Sequence, residues 1–121
     1  MSREKEALKA AMKDISELES EFWQSIKVTG SESDFNQTLE KAGRVADFIE
    51  LGYLMCHDAI EREESCGAHA RLEYLAESGD ARRDDENYCH VAVWEFQDGT
   101  YVLHKEHLHF EFIKPSVRDY K

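Results

Sequence analysis

The chain opens on a helical stripe. Leu8, Ala11, Met12, Ile15, Leu18, Phe22 and Ile26 recur three or four residues apart, with Lys9, Lys13, Glu17 and Glu21 between them. That spacing predicts an amphipathic helix over residues 3–26, with Ser2 as its N-cap and Trp23 beside Phe22 as a bulky anchor near its end. Val28, Thr29 and Gly30 stop it, and Ser31 or Ser33 caps the next helix, with Asp34 adding negative charge at its positive end. A short link between two long helices implies an antiparallel pair.

The second helix is expected over residues 34–64, and it carries two apolar rows. Phe35, Leu39, Ala42, Ala46, Ile49, Met55 and Ala59 form one; Val45, Phe48, Leu51, Tyr53 and Leu54 form the other. A helix with one stripe needs one partner, whereas a helix with two must be covered from two sides. Gly43 and Gly52 lie inside it, each costing about 1 kcal/mol relative to Ala, so each is expected to mark a close approach by another element.

Ser65-Cys66-Gly67-Ala68-His69 breaks the helical pattern, and the acidic, polar stretch after it has a turn at Ser78-Gly79-Asp80. Residues 65–88 therefore read as an irregular loop. A β-hairpin is expected over 89–113. Its first strand is Cys89 to Phe96, Asp98-Gly99 is its two-residue turn, and Phe96 faces Tyr101 as Trp94 faces Leu103. Alternation then resumes as Leu108, Phe110 and Phe112 against His107, His109 and Glu111, and Pro115 ends the strand before a tail over 114–121.

The fold class is thus mainly α with a β-hairpin. A long antiparallel helix pair, an incomplete three-helix bundle of the spectrin-repeat kind, is followed by an irregular loop and a C-terminal two-stranded hairpin. The first helix covers one stripe of the second. The hairpin is too small to cover all of the other. The chain is therefore expected either to dimerise through the second helix or to belong to something larger.

Composition sharpens this picture. The 121 residues are one domain's worth of chain, with 34% charged residues and a net charge of −11. No stretch forms a basic track, which argues against nucleic acid and against an anionic membrane surface. The first residues, Ser2-Arg3-Glu4-Lys5-Glu6, lack the apolar core of a signal peptide, and no apolar run approaches the ~20 residues of a membrane helix. Cys56, Cys66 and Cys89 match no CxxC spacing and read as reduced thiols.

Candidate chemistry is sparse. His107 and His109 share a strand face, with His104 on the other, but no Cys or carboxylate joins them at a known ligand spacing. A polar, solvent-facing strand outweighs a metal site. Cys66 and His69 could pair as nucleophile and base only with a third orienting group and an oxyanion site, and the sequence offers neither. Glu61, Glu63 and Glu64 read as a solvated helix end, and no GxGxxG or GKS/T loop is present. On residues alone the chain is an interaction module.

Four runs carry a resemblance. Leu39-Glu40-Lys41-Ala42-Gly43-Arg44-Val45-Ala46-Asp47-Phe48 leads into Asp58-Ala59-Ile60-Glu61-Arg62-Glu63-Glu64-Ser65-Cys66-Gly67-Ala68-His69-Ala70-Arg71; Arg83-Asp84-Asp85-Glu86-Asn87 and His104-Lys105-Glu106 come after. In this order they resemble the C-terminal helical domain of the succinate dehydrogenase/fumarate reductase flavoprotein subunit, over essentially the whole chain. Cys66 departs from the commoner Arg and, with the insert from Leu72 to Arg82, is similar to a branch whose membrane anchor holds two haems.

The resemblance implies a parent subunit that carries FAD and passes electrons between succinate or fumarate and an iron–sulfur subunit. It implies no catalytic, cofactor-binding or metal-binding residue in this stretch, since the family's flavin and dicarboxylate motifs lie in the preceding FAD-binding and capping domains. It also implies a third bundle helix before this stretch, and a peripheral place on the cytoplasmic face of the membrane without insertion into it. Ser65, Gly67, Ala68, His69 and Arg71 are the expected interdomain contacts, because a small-residue loop permits close backbone approach. A homodimer is expected when the chain is isolated. The competing expectations are an autonomous helical adaptor or dimerisation module, and a small metal-dependent enzyme using the strand histidines.

Overall fold

The computed structural model describes residues 2–31 and 35–116, and these divide into two compact units. The expected caps Ser33 and Asp34, and the tail beyond Ser116, lie outside the described residues.

The first unit comprises residues up to Glu63 together with Arg71–Glu73. Its helices are α1, Lys5–Ser25, and α2, Gln37–Glu61, which pack on each other. Most of the predicted stripe of α1 turns inward: Leu8 is buried, and Ala11, Met12, Ile15 and Phe22 are half-buried, whereas Leu18 and Ile26 are exposed. On α2 the covered face is Ala42, Ala46, Ile49, Tyr53 and Ala59, with Ile49 and Ala59 buried, whereas Phe35 and Leu39, expected on the same row, are exposed. The second row is open, with Val45, Phe48, Leu51 and Met55 respectively 45%, 65%, 51% and 59% exposed. Met55 thus belongs with this row and not with the first, while Tyr53 and Leu54, expected on the open row, are half-buried.

The helix ends differ from the sequence expectation, and each difference has a local cause. Ser2 does not cap α1. The N-cap is Glu4, which makes no side-chain capping bond, and the Lys5 N–H donates instead to the Glu73 carboxylate. Ser31 does not cap α2; Asn36 does, its Oδ1 accepting the Thr38 and Leu39 N–H groups at 3.1 and 3.2 Å. At its other end α2 stops at Glu61, three residues short of the expected Glu64, with Arg62 as C-cap. The glycines inside α2 are not close approaches: a Cβ at Gly52 would sit in ordinary contact with Ile15 Cδ1 at 3.7 Å, and one at Gly43 would meet nothing within 4 Å.

The second unit comprises Glu64–Ala70 and the residues from Tyr74 onward. The stretch expected as one irregular loop holds a 3₁₀ turn at Leu72–Tyr74, shared between the units, and a short helix α3, Asp85–Tyr88. Strands β1, His90–Gln97, and β2, Thr100–His107, form an antiparallel hairpin. Trp94 pairs with Leu103 and Phe96 with Tyr101, the register read from the sequence. Asp98 and Gly99 both have positive φ, at 51° and 81°, which is the requirement of a type I′ turn.

The strand does not continue to Phe112. His90 pairs with His107, and β1 has no residue left to pair with those beyond His107. The Leu108 N–H donates to the Cys89 carbonyl at 3.0 Å, and Phe110, Phe112 and Ile113 run on exposed. Their alternation lacks a partner strand, and alternation alone does not make a ladder.

Candidate functional site

Two polar clusters, one in each unit, hold the stretch singled out by sequence. In the first unit the centre is Arg71, whose side chain is fully buried. The last carbonyls of a helix lack partners within it, and a cation there also meets the negative end of the helix dipole. Arg71 answers both needs. Its Nη1 donates to the Ala59 carbonyl at 2.7 Å and the Ile60 carbonyl at 3.2 Å, while its Nε donates to Glu73 Oε2 at 3.1 Å.

Glu73 then links this cap to the start of α1. Its carboxylate accepts the Lys5 N–H, and the Leu72 N–H donates to the Arg3 carbonyl at 2.9 Å, a parallel bridge between Arg3 and Arg71. Lys5 Nζ also lies 3.4 Å from Glu63 Oε1. In an antiparallel pair the first turn of α1 and the last turn of α2 are neighbours, so three residues, 71–73, tie both ends. The Lys5 N–H, and after it the Arg71 side chain, hold the Glu73 carboxyl down from 4.5 to about 2.

The sign of that shift fixes a pH window. A depressed carboxylate contributes stability that is complete above its unfolded value and is lost as pH falls through the folded one. Between pH 4.5 and about 2 the helix pair is expected to lose stability through Glu73. Acid titration followed by helical circular dichroism checks this. Glu73→Gln should be less stable near neutrality and should show a flatter profile over that window; an unchanged profile would remove Glu73 from the account.

In the second unit the centre is Glu64. It is 2% exposed and not, as its place after α2 suggested, part of a solvated helix end. Its Oε2 accepts the Asp84 N–H at 2.9 Å, and the Ser65 N–H donates to the Arg82 carbonyl at 3.0 Å. Asp84 caps α3, accepting the Asn87 N–H at 3.1 Å and its Nδ2 at 2.9 Å, and these two bonds hold the Asp84 carboxyl below its usual range. Arg83 pairs with Asp85, which raises the guanidinium's pKa, and donates to the Ser116 carbonyl at 3.1 Å.

Between these anchors Cys66 and His69 form a tight turn. The Cys66 N–H donates to the His69 carbonyl at 2.8 Å, and the His69 N–H returns to the Cys66 carbonyl at 3.0 Å. Gly67 stands first in the two-residue connection with a φ of 58°, as a type II′ turn demands. A Cβ there would meet nothing within 4 Å, so on this chain the glycine serves the turn's conformation.

The five expected contact residues therefore divide. Gly67 and Ala68 are exposed, His69 is half-buried, and Ser65 and Arg71 are fully buried. The Arg71 side chain is turned onto its own helix end. Sequence reasoning missed Glu64 and Glu73, whose partners lie 20 and 68 residues away, and no local pattern announces either. The strand histidines separate: His107 ends β2, while His109 lies beyond it. His104 bonds to Glu95 at 2.8 Å, and among the described residues no group of three or more His, Cys, Asp or Glu is placed to hold a metal ion.

The architecture defines a helix-pair domain joined to a β-hairpin unit, in which the buried charges bind the chain's own backbone ends. Comparison with known proteins places it more closely. The family model described as "Fumarate reductase flavoprotein C-term" matches residues 1–120. The chain is 29% identical over 119 residues to the fumarate reductase flavoprotein subunit of Escherichia coli (strain K12), covering 98% of this chain and 19% of that one. It is 31% identical over 97 residues to the succinate dehydrogenase flavoprotein subunit of Coxiella burnetii (strain RSA 493 / Nine Mile phase I), covering 80% of this chain and 15% of that one. A solved structure titled "Quinol-Fumarate Reductase with Menaquinol Molecules" superposes with a TM-score of 0.77 at 27% identity, covering 95% of this chain and 19% of that one.

The chain belongs to the fumarate reductase flavoprotein C-terminal family. It spans about a fifth of the length of the curated fumarate reductase subunits it matches. Among the described residues no helix is long and apolar enough to cross a membrane.

Proposed function

We propose that this chain serves as the C-terminal domain of a flavoprotein subunit that interconverts succinate and fumarate, and that it braces the FAD-binding and capping domains without supplying a catalytic group. The observation that carries the reading is the match along nearly the whole chain, in sequence and in fold, to about a fifth of such subunits. The residues themselves do not fit FAD. A dinucleotide's pyrophosphate needs a glycine-rich turn opening a helix. Here the positive-φ glycines 30, 67, 79 and 99 sit in four separate turns, and the sequence has no GxGxxG. FAD and the dicarboxylate therefore belong to the preceding domains. Electrons pass to an iron–sulfur subunit, and the assembly sits peripherally on the cytoplasmic face of the membrane.

In this reading the Gly67-Ala68 turn is the contact. It is exposed, small, and stiffened by the paired backbones of Cys66 and His69. Ser65 lies buried at its base, and Arg71 acts within the helix pair. The test is Ala68→Trp in the full-length subunit, with Ala68→Ser as a control, because Ser keeps a small side chain at the same place in the turn. Ala68→Trp is expected to lower bound flavin and succinate-dependent dye reduction about tenfold, while Ala68→Ser retains most of both. A normal yield of active holoenzyme from Ala68→Trp rejects the contact.

A further inference from the structure

Beyond β2 the chain turns back on its own unit and is tied there at two points. At one end the Leu108 N–H donates to the Cys89 carbonyl at 3.0 Å. At the other, Arg83 Nη1 donates to the Ser116 carbonyl at 3.1 Å. Residues 109–115 lie between these ties and make no hydrogen bond or ion pair among the described residues. Phe112 and Ile113 are exposed, so apolar burial does little to hold the span down. Beside it is a cavity of about 460 Å³, walled by Asp85, Glu86 and Cys89 together with Leu108, Phe110 and Pro115 of the returning chain.

The two ties are unequal. The bond at Leu108 extends the β1–β2 ladder by one step beyond the His90–His107 pair, so the hairpin supports it. The bond at Ser116 is a single one at the surface, from a guanidinium that Asp85 already holds at 3.0 Å through Nε. A lone exposed hydrogen bond maintains an equilibrium between closed and open forms, not one fixed state. Cys89 is half-buried in the closed form. We propose that residues 109–116 are a strap, hinged at Leu108 and clasped by Arg83, whose release opens the cavity and bares the Cys89 thiol.

The strap is built from the second unit alone and not from the flavoenzyme reading, so either can fail without the other. Alkylation of the 121-residue chain by iodoacetamide, read at each cysteine by mass spectrometry, measures its opening. The rate at Cys89 follows the open population when closing outruns alkylation. Arg83→Met removes the clasp and should raise that rate about fivefold. Phe110→Ser keeps the clasp but strips an apolar wall from the cavity, and should raise it about threefold. Cys66 is the control, since it belongs to the same unit and does not line the cavity. Its rate is expected not to rise in either variant. An unchanged Cys89 rate in either variant overturns the strap. So does an equal rise at Cys66 and Cys89, which would mean that the whole unit has loosened.

Discussion

Replacing Arg71 with Met is expected to destabilise the helix pair by about 3 kcal/mol, the low end of what removing one partner of a buried charged pair costs. The side chain is fully buried and bonds to the Ala59 and Ile60 carbonyls and to Glu73. Met fills much of the same space but donates nothing. Two carbonyls at the end of α2 then lose their bonds, and the Glu73 carboxylate loses its cation while keeping the Lys5 N–H. The Glu73 side chain is itself partly open to solvent, which is why the larger values for wholly buried pairs do not apply.

The measurement is helical circular dichroism during urea unfolding, with the midpoint compared at constant slope. Arg71→Lys separates charge from geometry. An ammonium keeps the charge near the helix end but cannot serve two carbonyls and a carboxylate from a planar fork, so it should recover less than half of the loss. A midpoint unchanged in Arg71→Met would show that the bonds to α2 and Glu73 do not hold the helix ends together.

The range of each interaction decides whether the sequence disclosed it. The stripe on α1 and the face of Ile49 on α2 were legible because helical periodicity is local. The type I′ turn was legible because Asp98-Gly99 states its backbone geometry in two residues. The open second row of α2 was legible as an excess of apolar surface. The caps were not. Ser2 has the right chemistry beside α1, yet the Lys5 N–H is satisfied by a carboxylate 68 residues further on. The end of β2 was hidden for the same reason: His107 is last because β1 begins at His90, and the alternation of Leu108, Phe110 and Phe112 says nothing about that.

The site shows the same division. The small-residue turn at Gly67-Ala68 could be read directly. The inward turn of Arg71 could not, because a basic residue in a polar stretch is ordinarily solvated. Nor could Glu64, one of a run of acidic residues at the end of a helix, be told from its neighbours Glu61 and Glu63. The difference between them is made by Asp84, whose N–H needs an acceptor where the chain begins α3.

That difference predicts the second large effect. Glu64→Ala is expected to weaken the second unit by about 2 kcal/mol, the scale of losing a buried hydrogen bond to a charged acceptor. The Asp84 N–H loses its partner at 2.9 Å in a position that already begins a helix, and Asp84 must keep its side chain on Asn87 while its own backbone goes unsatisfied. Amide hydrogen exchange locates the effect: protection should fall at Asp84 and along α3, and less in α1. Glu64→Gln keeps an acceptor oxygen of nearly the same reach and should recover much of the protection, leaving only the charge-dependent part missing. Equal losses in Ala and Gln would mean that the carboxylate's charge, acting on neighbours such as Arg83, outweighs the bond to Asp84. Full protection in Glu64→Ala would show that the buried carboxylate is not what anchors the start of α3.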